Sequence, residues 1–281
     1  MFFRKKESPV VCPKEEIIPL PEDDEGLLEF IEVIKKTSGV DLKPKQDVIK
    51  KRLAYFAQAH YIKTFKLLSE KVLADPFIRQ EALNLITVNE TYFYRELPQL
   101  EVALDFIKTF NKPIRILSAP CSSGEEVYSI GMLISCAGMN LDKIKIVGID
   151  INSEAIDRSL KGIYSERSLH RLDNALKDKF FDKIDLGYAI KRHLLPESDF
   201  KRVNIFEDEF LDMGSFDIVF SRNMMIYFNE TYRLKTVERF YKVLNMDGRM
   251  YTGHADLVPQ TRLFEKKIFN KVAYYEKIQE I

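Results

Sequence analysis

The chain reads as a doubly wound α/β domain preceded by a small all-helical domain, and three features carry that reading. Four amphipathic helical segments follow one another between about residues 25 and 86 with no extended segment among them. From about Leu97 onward helical and extended segments alternate, the pattern of a parallel sheet covered by helices. Small and acidic residues gather just after the extended segments, where open α/β sheets bind their ligands.

The helical part is built from period. Leu27, Phe30, Ile31 and Ile34 recur at helical spacing, and the segment stops at Ser38-Gly39. A second helix is predicted over Asp47 to His60, with Ile49, Leu53, Phe56 and Ala57 on one face. A third covers about Lys63 to Leu73. A fourth begins at Asp75-Pro76, with Asp as cap and Pro at the first helical position. Residues 25–88 thus form an expected helical domain, and 89–96 a linker. Before them, residues 1–24 are expected to be a flexible lead-in, broken by Pro9, Pro13, Pro19 and Pro21.

In the α/β part, residues 97–281, Leu100 to Phe110 is helical and Ile114 to Leu117 is a short buried strand. Glu125 to Ala137 is a helix, and Ile144 to Ile149 is a strand ending at Asp150. Asn152 or Ser153 caps the next helix. Phe216 to Phe220 is a strand, Glu230 to Leu244 an amphipathic helix, and Phe264 to Ile278 a pair of closing antiparallel strands. Gly187 to Asn204 interrupts the alternation and is expected to be a hairpin insertion around a Leu195-Pro196-Glu197-Ser198 turn.

Composition narrows the function classes. The 281 residues suffice for one large and one small domain, and 46% apolar with 31% charged residues is a globular balance. Lys plus Arg and Asp plus Glu both total 43, so the net charge is zero. That argues against wholesale nucleic-acid binding while leaving room for a local basic patch. Cys12, Cys121 and Cys136 have neither metal-ligand spacing nor an even disulfide framework, which fits a reducing, cytoplasmic setting. No apolar run approaches the roughly 20 residues that span a bilayer. Met1 to Lys6 is basic, but no apolar stretch follows it as a secretory signal requires.

Four stretches carry candidate chemistry. Asn89 to Glu96 reads Asn-Glu-Thr-Tyr-Phe-Tyr-Arg-Glu, dense in both hydrogen-bonding groups and aromatic rings. Such a loop either grips a ligand or anchors an interdomain linker. After the first strand, Ser118 to Glu126 has one glycine where a dinucleotide fingerprint needs three, and no P-loop lysine. Its two carboxylates disfavour a phosphate and suit a cationic or hydroxyl-bearing ligand, or simply complement a helix dipole. Asp150 at the end of the second strand suits the two hydroxyls of a ribose, or an ordinary N-cap. A ribose-binding acid without a phosphate cradle favours S-adenosylmethionine (SAM) over NAD or ATP. After the later strand, Met224, Met225, Ile226 and Phe228 read as core, and Arg222, Asn223 and Tyr227 as site residues.

Together these motifs resemble the chemotaxis receptor methyltransferases, the CheR family. The resemblance rests on Asn89 to Glu96, Ser118 to Glu126 with Tyr128-Ser129, Arg222-Asn223 with Ile226-Tyr227-Phe228, and Gly253-His254, and covers roughly residues 25–281. It implies a SAM-dependent protein-glutamate O-methyltransferase acting on the cytoplasmic helices of transmembrane chemoreceptors. By motif, Asn89, Thr91 and Arg95 would lie against the cofactor from the linker. Glu126 and Asp150 would bind its cationic and ribose portions, and Asn204, Arg222 and Asn223 would line the adenosine pocket. Arg95 and Tyr227 would sit nearest the transferred methyl. The insertion resembles a small β subdomain that in some members grips a receptor tail peptide.

The chain departs from the family pattern at Pro120-Cys121, Val127, Met246-Asp247-Gly248 and Asp256, none of which is assigned to methyl transfer. Lys50, Lys51 and Arg52, with Lys43 and Lys45 before them, offer either a solvated face or an electrostatic dock for acidic receptor helices. A monomer is the expected state. The alternative function is a SAM-binding regulatory or scaffolding module that transfers nothing.

Overall fold

The computed structural model describes residues 19–278. Most of the expected lead-in, and Cys12 with it, lies outside the described residues. The helical part comprises α1 (Asp24–Ser38), α2 (Gln46–Ala59), α3 (Phe65–Ala74) and α4 (Pro76–Ile86). Their apolar faces close on one another around Phe30, Ile34, Leu53, Phe65, Leu68 and Ala82. The helix starts obey capping chemistry. Thr64 accepts from Leu67 N, and Asp75 accepts from Phe77 N and Ile78 N. Asp23, just before α1, instead turns its carboxylate to α3, accepting from Phe65 N at 2.7 Å and Lys66 N at 3.0 Å. Two donors that a helix start leaves orphaned are thus met by a residue 42 positions away or more.

The α/β part holds α5 (Leu97–Ile107), α6 (Glu125–Cys136), α7 (Ser153–Lys161), α8 (Asn174–Phe180) and α9 (Glu230–Val243). Its central strands are β1 (Ile114–Ser118), β2 (Ile144–Asp150) and β7 (Phe216–Ser221). Between β2 and β7 come β3 (Ile163–Tyr164), β4 (Phe181–Ile184), β5 (Gly187–Ile190) and β6 (Glu197–Arg202), and after them β8 (Leu244–Thr252), β9 (Phe264–Phe269) and β10 (Val272–Lys277). Among the described residues the main sheet has seven strands in the order β6-β2-β1-β7-β8-β10-β9. The first five are parallel and the last two antiparallel, as the closing pair in the sequence predicts. Both faces are covered, so neighbouring strand residues enter opposite cores. Ile116, Ile146 and Ile218 face the α5 and α6 side, and Leu117, Val147 and Val219 face the α9 side.

Two expectations are corrected. The insertion is not the hairpin of residues 187–204. The hairpin joins β4 to β5, and β5 also pairs with β3 in a separate three-stranded sheet. Glu197 to Arg202, expected as the second arm of the hairpin, is instead β6, the parallel edge strand beside β2. An edge strand buries little, so its polar Glu-Ser-Asp-Phe-Lys-Arg pattern resembles a surface hairpin. Met246-Asp247-Gly248 lies within β8, where the register against β7 shifts between Phe216 and Ile218 and Asp247 takes a positive φ of 63°. Turn-type residues inside a strand mark a bulge.

Candidate active site

The sheet order reverses at β1, with β2 on one side and β7 on the other. Loops after these three strands open into one crevice at their carboxyl ends. The β1 loop turns into α6 through Gly124, at φ 93°, where a Cβ would come within 2.8 Å of the Ser159 Cβ. Only glycine allows both that backbone and that approach.

The linker closes the crevice from outside the sheet. Phe93 is fully buried and meets Tyr164 and Phe181 edge-on, at centroid distances of 4.9 and 5.1 Å. Its amide donates to Ser168 O, and the Tyr94 amide donates to Ser129 Oγ at 3.0 Å. With these two aromatics anchored, Asn89, Thr91 and Arg95 line the pocket. The anchor and grip readings of this stretch therefore describe different residues of one segment.

The helical part supplies a further wall through Ser38, Val40 and Thr87. It is pinned there by polar contacts. Asn152 Nδ2 donates to Thr87 Oγ1 at 2.7 Å, Gln80 Nε2 donates to Ile151 O at 2.9 Å, and Ser153 N donates to Asn84 Oδ1 at 2.9 Å. Asn204 Nδ2 donates to Thr37 O at 2.7 Å, and its Oδ1 accepts from Phe206 N. Asn204 therefore borders the pocket while its amide latches the two parts together.

At the floor sits Asp150, 5% exposed. Its carboxylate accepts from Ser122 N and Asn152 N, both at 2.9 Å. Burial pushes its pKa up to about 6, against the lowering effect of those amides. Asn152 acts as the N-cap of α7, so Asp150 is not needed for that role. Beside it, Ser122 Oγ is buried with no hydrogen-bond partner among the described residues. A buried orphan hydroxyl next to a buried carboxylate is what a polar ligand would complete.

Arg222 has a side chain only 2% exposed and distributes its donors over three elements. Nε donates to Gln99 Oε1 at 2.9 Å, Nη1 to Glu126 Oε2 at 2.8 Å, and Nη2 to the Arg95 carbonyl at 2.5 Å. Glu126 Oε1 in turn accepts from Ser118 Oγ. At Glu96, burial works to raise the carboxyl pKa. The Arg222 charge and bonds from His254 and Asn223 outweigh it and hold the group below the usual range.

All nine sequence-predicted residues, Asn89, Thr91, Arg95, Glu126, Asp150, Asn204, Arg222, Asn223 and Tyr227, line this one pocket. Sequence reasoning missed Ser122 and Thr87. The small-residue run Cys121-Ser122-Ser123-Gly124 marked the first. Thr87 carries no local signal.

A mainly parallel sheet reversing at β1, a buried acid ending β2 and no phosphate cradle after β1 make the arrangement of a Rossmann-like SAM-dependent methyltransferase. The family model described as "CheR methyltransferase, SAM binding domain" matches residues 89–273. A chemotaxis protein methyltransferase of Campylobacter jejuni (strain 81-176) is 42% identical over 254 residues, 90% of this chain and 96% of that protein. Chemotaxis protein methyltransferase 2 of Vibrio cholerae is 35% identical over 70% of this chain and 73% of its own. The Borreliella burgdorferi chemotaxis protein methyltransferase is 30% identical over 83% and 88%. The chain belongs to the CheR methyltransferase family. Its cofactor is S-adenosylmethionine, and its activity is methyl transfer in chemotaxis.

Proposed function

We propose that the chain methylates glutamate side chains on the cytoplasmic helices of chemoreceptors. The carrying observation is Arg95, a guanidinium on the pocket wall whose hydrogen bond goes to the Glu90 carbonyl and whose charge lies 5.9 Å from the Tyr92 ring. No carboxylate pairs with it among the described residues, so it is available to an acidic acceptor. Membership of a chemotaxis family supports the same reading.

Asp150 and Ser122 suit the ribose, and Asn89, Thr91 and Asn223 suit the remaining polar groups of SAM, with the Glu126 carboxylate on its cationic side. When bound, SAM supplies a methyl group on a sulfonium centre. A glutamate acceptor is already anionic near neutral pH, so these residues need provide no general base. Their task is alignment, which can contribute about 7–11 kcal/mol in favourable cases. Arg95 orients the acceptor carboxylate. Tyr227, half-buried with its phenol pKa raised by burial, borders the methyl-transfer position.

Residues 25–88 serve as the receptor-docking domain, 89–96 as a linker that is also part of the site, and 97–281 as the methyltransferase domain. On α2, Lys50 is paired with Asp24 at 2.6 Å and Arg52 Nη2 donates to Leu85 O at 2.5 Å. Lys51 is exposed, and Lys45 lies 5.4 Å from the Tyr227 ring. Docking of an acidic helix therefore falls chiefly to Lys45 and Lys51. Among the described residues no helix is long and apolar enough to cross a membrane. With such an acceptor the protein acts in the cytoplasm; a monomer is the proposed state. Incubation with methyl-labelled SAM and a receptor cytoplasmic fragment should yield base-labile label on glutamate. SAM binding without label transfer would favour the regulatory-module alternative.

A further inference from the structure

The loop that follows β7 has an unusual shape for a segment facing a pocket. Asn223 holds a left-handed backbone at φ 59°, a conformation asparagine tolerates better than most residues. Met225–Tyr227 then forms a single 3-10 turn. This path brings both Asn223 and Tyr227 to the pocket wall.

What holds that path comes from another element. After β8 the chain makes a turn in which Asp256 N donates to Gly253 O at 3.1 Å. The Asp256 carboxylate then reaches back over the β7 loop. Oδ2 accepts from Asn223 N at 2.6 Å and from Gly253 N at 2.9 Å, and Oδ1 accepts from Ile226 N at 3.3 Å. One anion therefore fastens both ends of the Asn223–Ile226 segment and joins them to the 253–256 turn. Hydrogen bonds to an ionised acceptor are stronger than neutral ones, so the clasp is stiff.

The contact is also built for closeness. A Cβ at Gly253 would lie 2.8 Å from Asn223 N, 2.8 Å from Asn223 Nδ2 and 2.9 Å from Asp256 Oδ2. The two loops approach this near only because residue 253 has no side chain. On the linker side, Glu96 Oε1 lies 3.4 Å from Asn223 Nδ2, and the same carboxylate meets His254. Linker, β7 loop and 253–256 turn are thus one knitted unit.

We propose that Asp256 is a positioning residue for methyl transfer, fixing the Arg222 to Tyr227 loop so that Asn223 and Tyr227 face the pocket. This rests on the reading of Tyr227 as the residue bordering the transferred methyl. Asp256 itself touches backbone amides only and takes no part in the bond changes.

The test compares Asp256→Asn and Asp256→Ala with the wild type, each normalised to its SAM-binding stoichiometry so that misfolded protein does not count. Asparagine is isosteric and keeps one acceptor, so the Asn variant guards against a failure of Ala to fold. The expected result is a kcat lower by about 10-fold for Asn and about 100-fold for Ala, with KM for a receptor fragment unchanged. Amide exchange should rise in residues 222–227 in the same order. Wild-type kcat per binding site in both variants would overturn the proposal, as would unchanged loop exchange in Asp256→Ala. The exchange measurement needs no acceptor. If the wild type labels no receptor glutamate while the loop loosens in the variants, the substrate reading fails and the clasp stands.

Discussion

Arg222 Nη2 donates to the carbonyl oxygen of Arg95 at 2.5 Å, so one arginine of the pocket holds the backbone of the other. The remaining donors of Arg222 hold Glu126 and Gln99. The end of β7, the starts of α5 and α6 and the 89–96 segment therefore meet on a single guanidinium. Its planar fork matters, because a lysine offers one point of charge to groups lying in several directions.

Substituting Arg222 by Ala removes that hub and leaves Glu126 largely buried with its charge unpaired. Breaking such a pair from one side costs about 3–5 kcal/mol. Thermal unfolding should show a lower Tm, and calorimetry a SAM affinity reduced at least tenfold. Arg222→Lys should recover part of the stability and little of the affinity.

Phe93 is fully buried between Tyr164 and Phe181. Its replacement by alanine should destabilise the protein by about 3–5 kcal/mol through lost burial and the cavity left behind. Because the same residue anchors the linker, SAM affinity should fall as well. Denaturant unfolding and calorimetry on one preparation read both effects.

Asp150 gives the site a pH dependence of defined sign. The ionised group is the better acceptor for ribose hydroxyls, and its pKa is raised to about 6 by burial. Kd for SAM should therefore rise as pH falls through about 6, approaching tenfold per unit. Stability of the cofactor-free protein should run the opposite way. The folded pKa lies above the unfolded value, so this group's contribution is fully present below about pH 3.8 and is lost as pH rises through about 6. Its size is on the order of 3 kcal/mol. Calorimetric titrations and melts between pH 4 and 8 separate the two trends, and Asp150→Asn should flatten both.

Reversing the charge of Lys50, Lys51 and Arg52 together should raise KM for a receptor fragment about tenfold and leave SAM affinity unchanged. An equal fall in SAM affinity would show that the helix acts on the pocket rather than on the partner. Lys50→Glu alone should have the smaller effect, since Lys50 is already committed to Asp24.

Much of this fold is legible in the sequence because the elements that matter most are the most regular. β7 is buried at all six positions, and the β-branched and aromatic run Ile218-Val219-Phe220 reads as a buried strand despite Asp217. The helix starts are marked by Asp75-Pro76 and Asn152, whose side chains form the caps their types imply. β6 escapes because, of its six residues, only Phe200 is buried, so alternation is faint. The β4–β5 hairpin escapes because Asp185-Leu186 lacks the glycine at a central turn position that announces a two-residue turn. In the pocket, residues carried on motifs after strands are readable from position alone. Thr87 and Ser38 are not, since they reach the site only through the packing of the helical part on the α/β part. Nor could the sequence show that the amide of Asn204 bonds Thr37.

The central claim is that Arg95, carried by the linker, works at the point of methyl transfer. It is tested by single-turnover transfer from labelled SAM to a receptor cytoplasmic fragment, comparing Arg95→Ala with wild type at saturating SAM. The expected result is a rate lower by about 100-fold or more, with label still confined to glutamate. An unchanged rate at saturation would contradict the account.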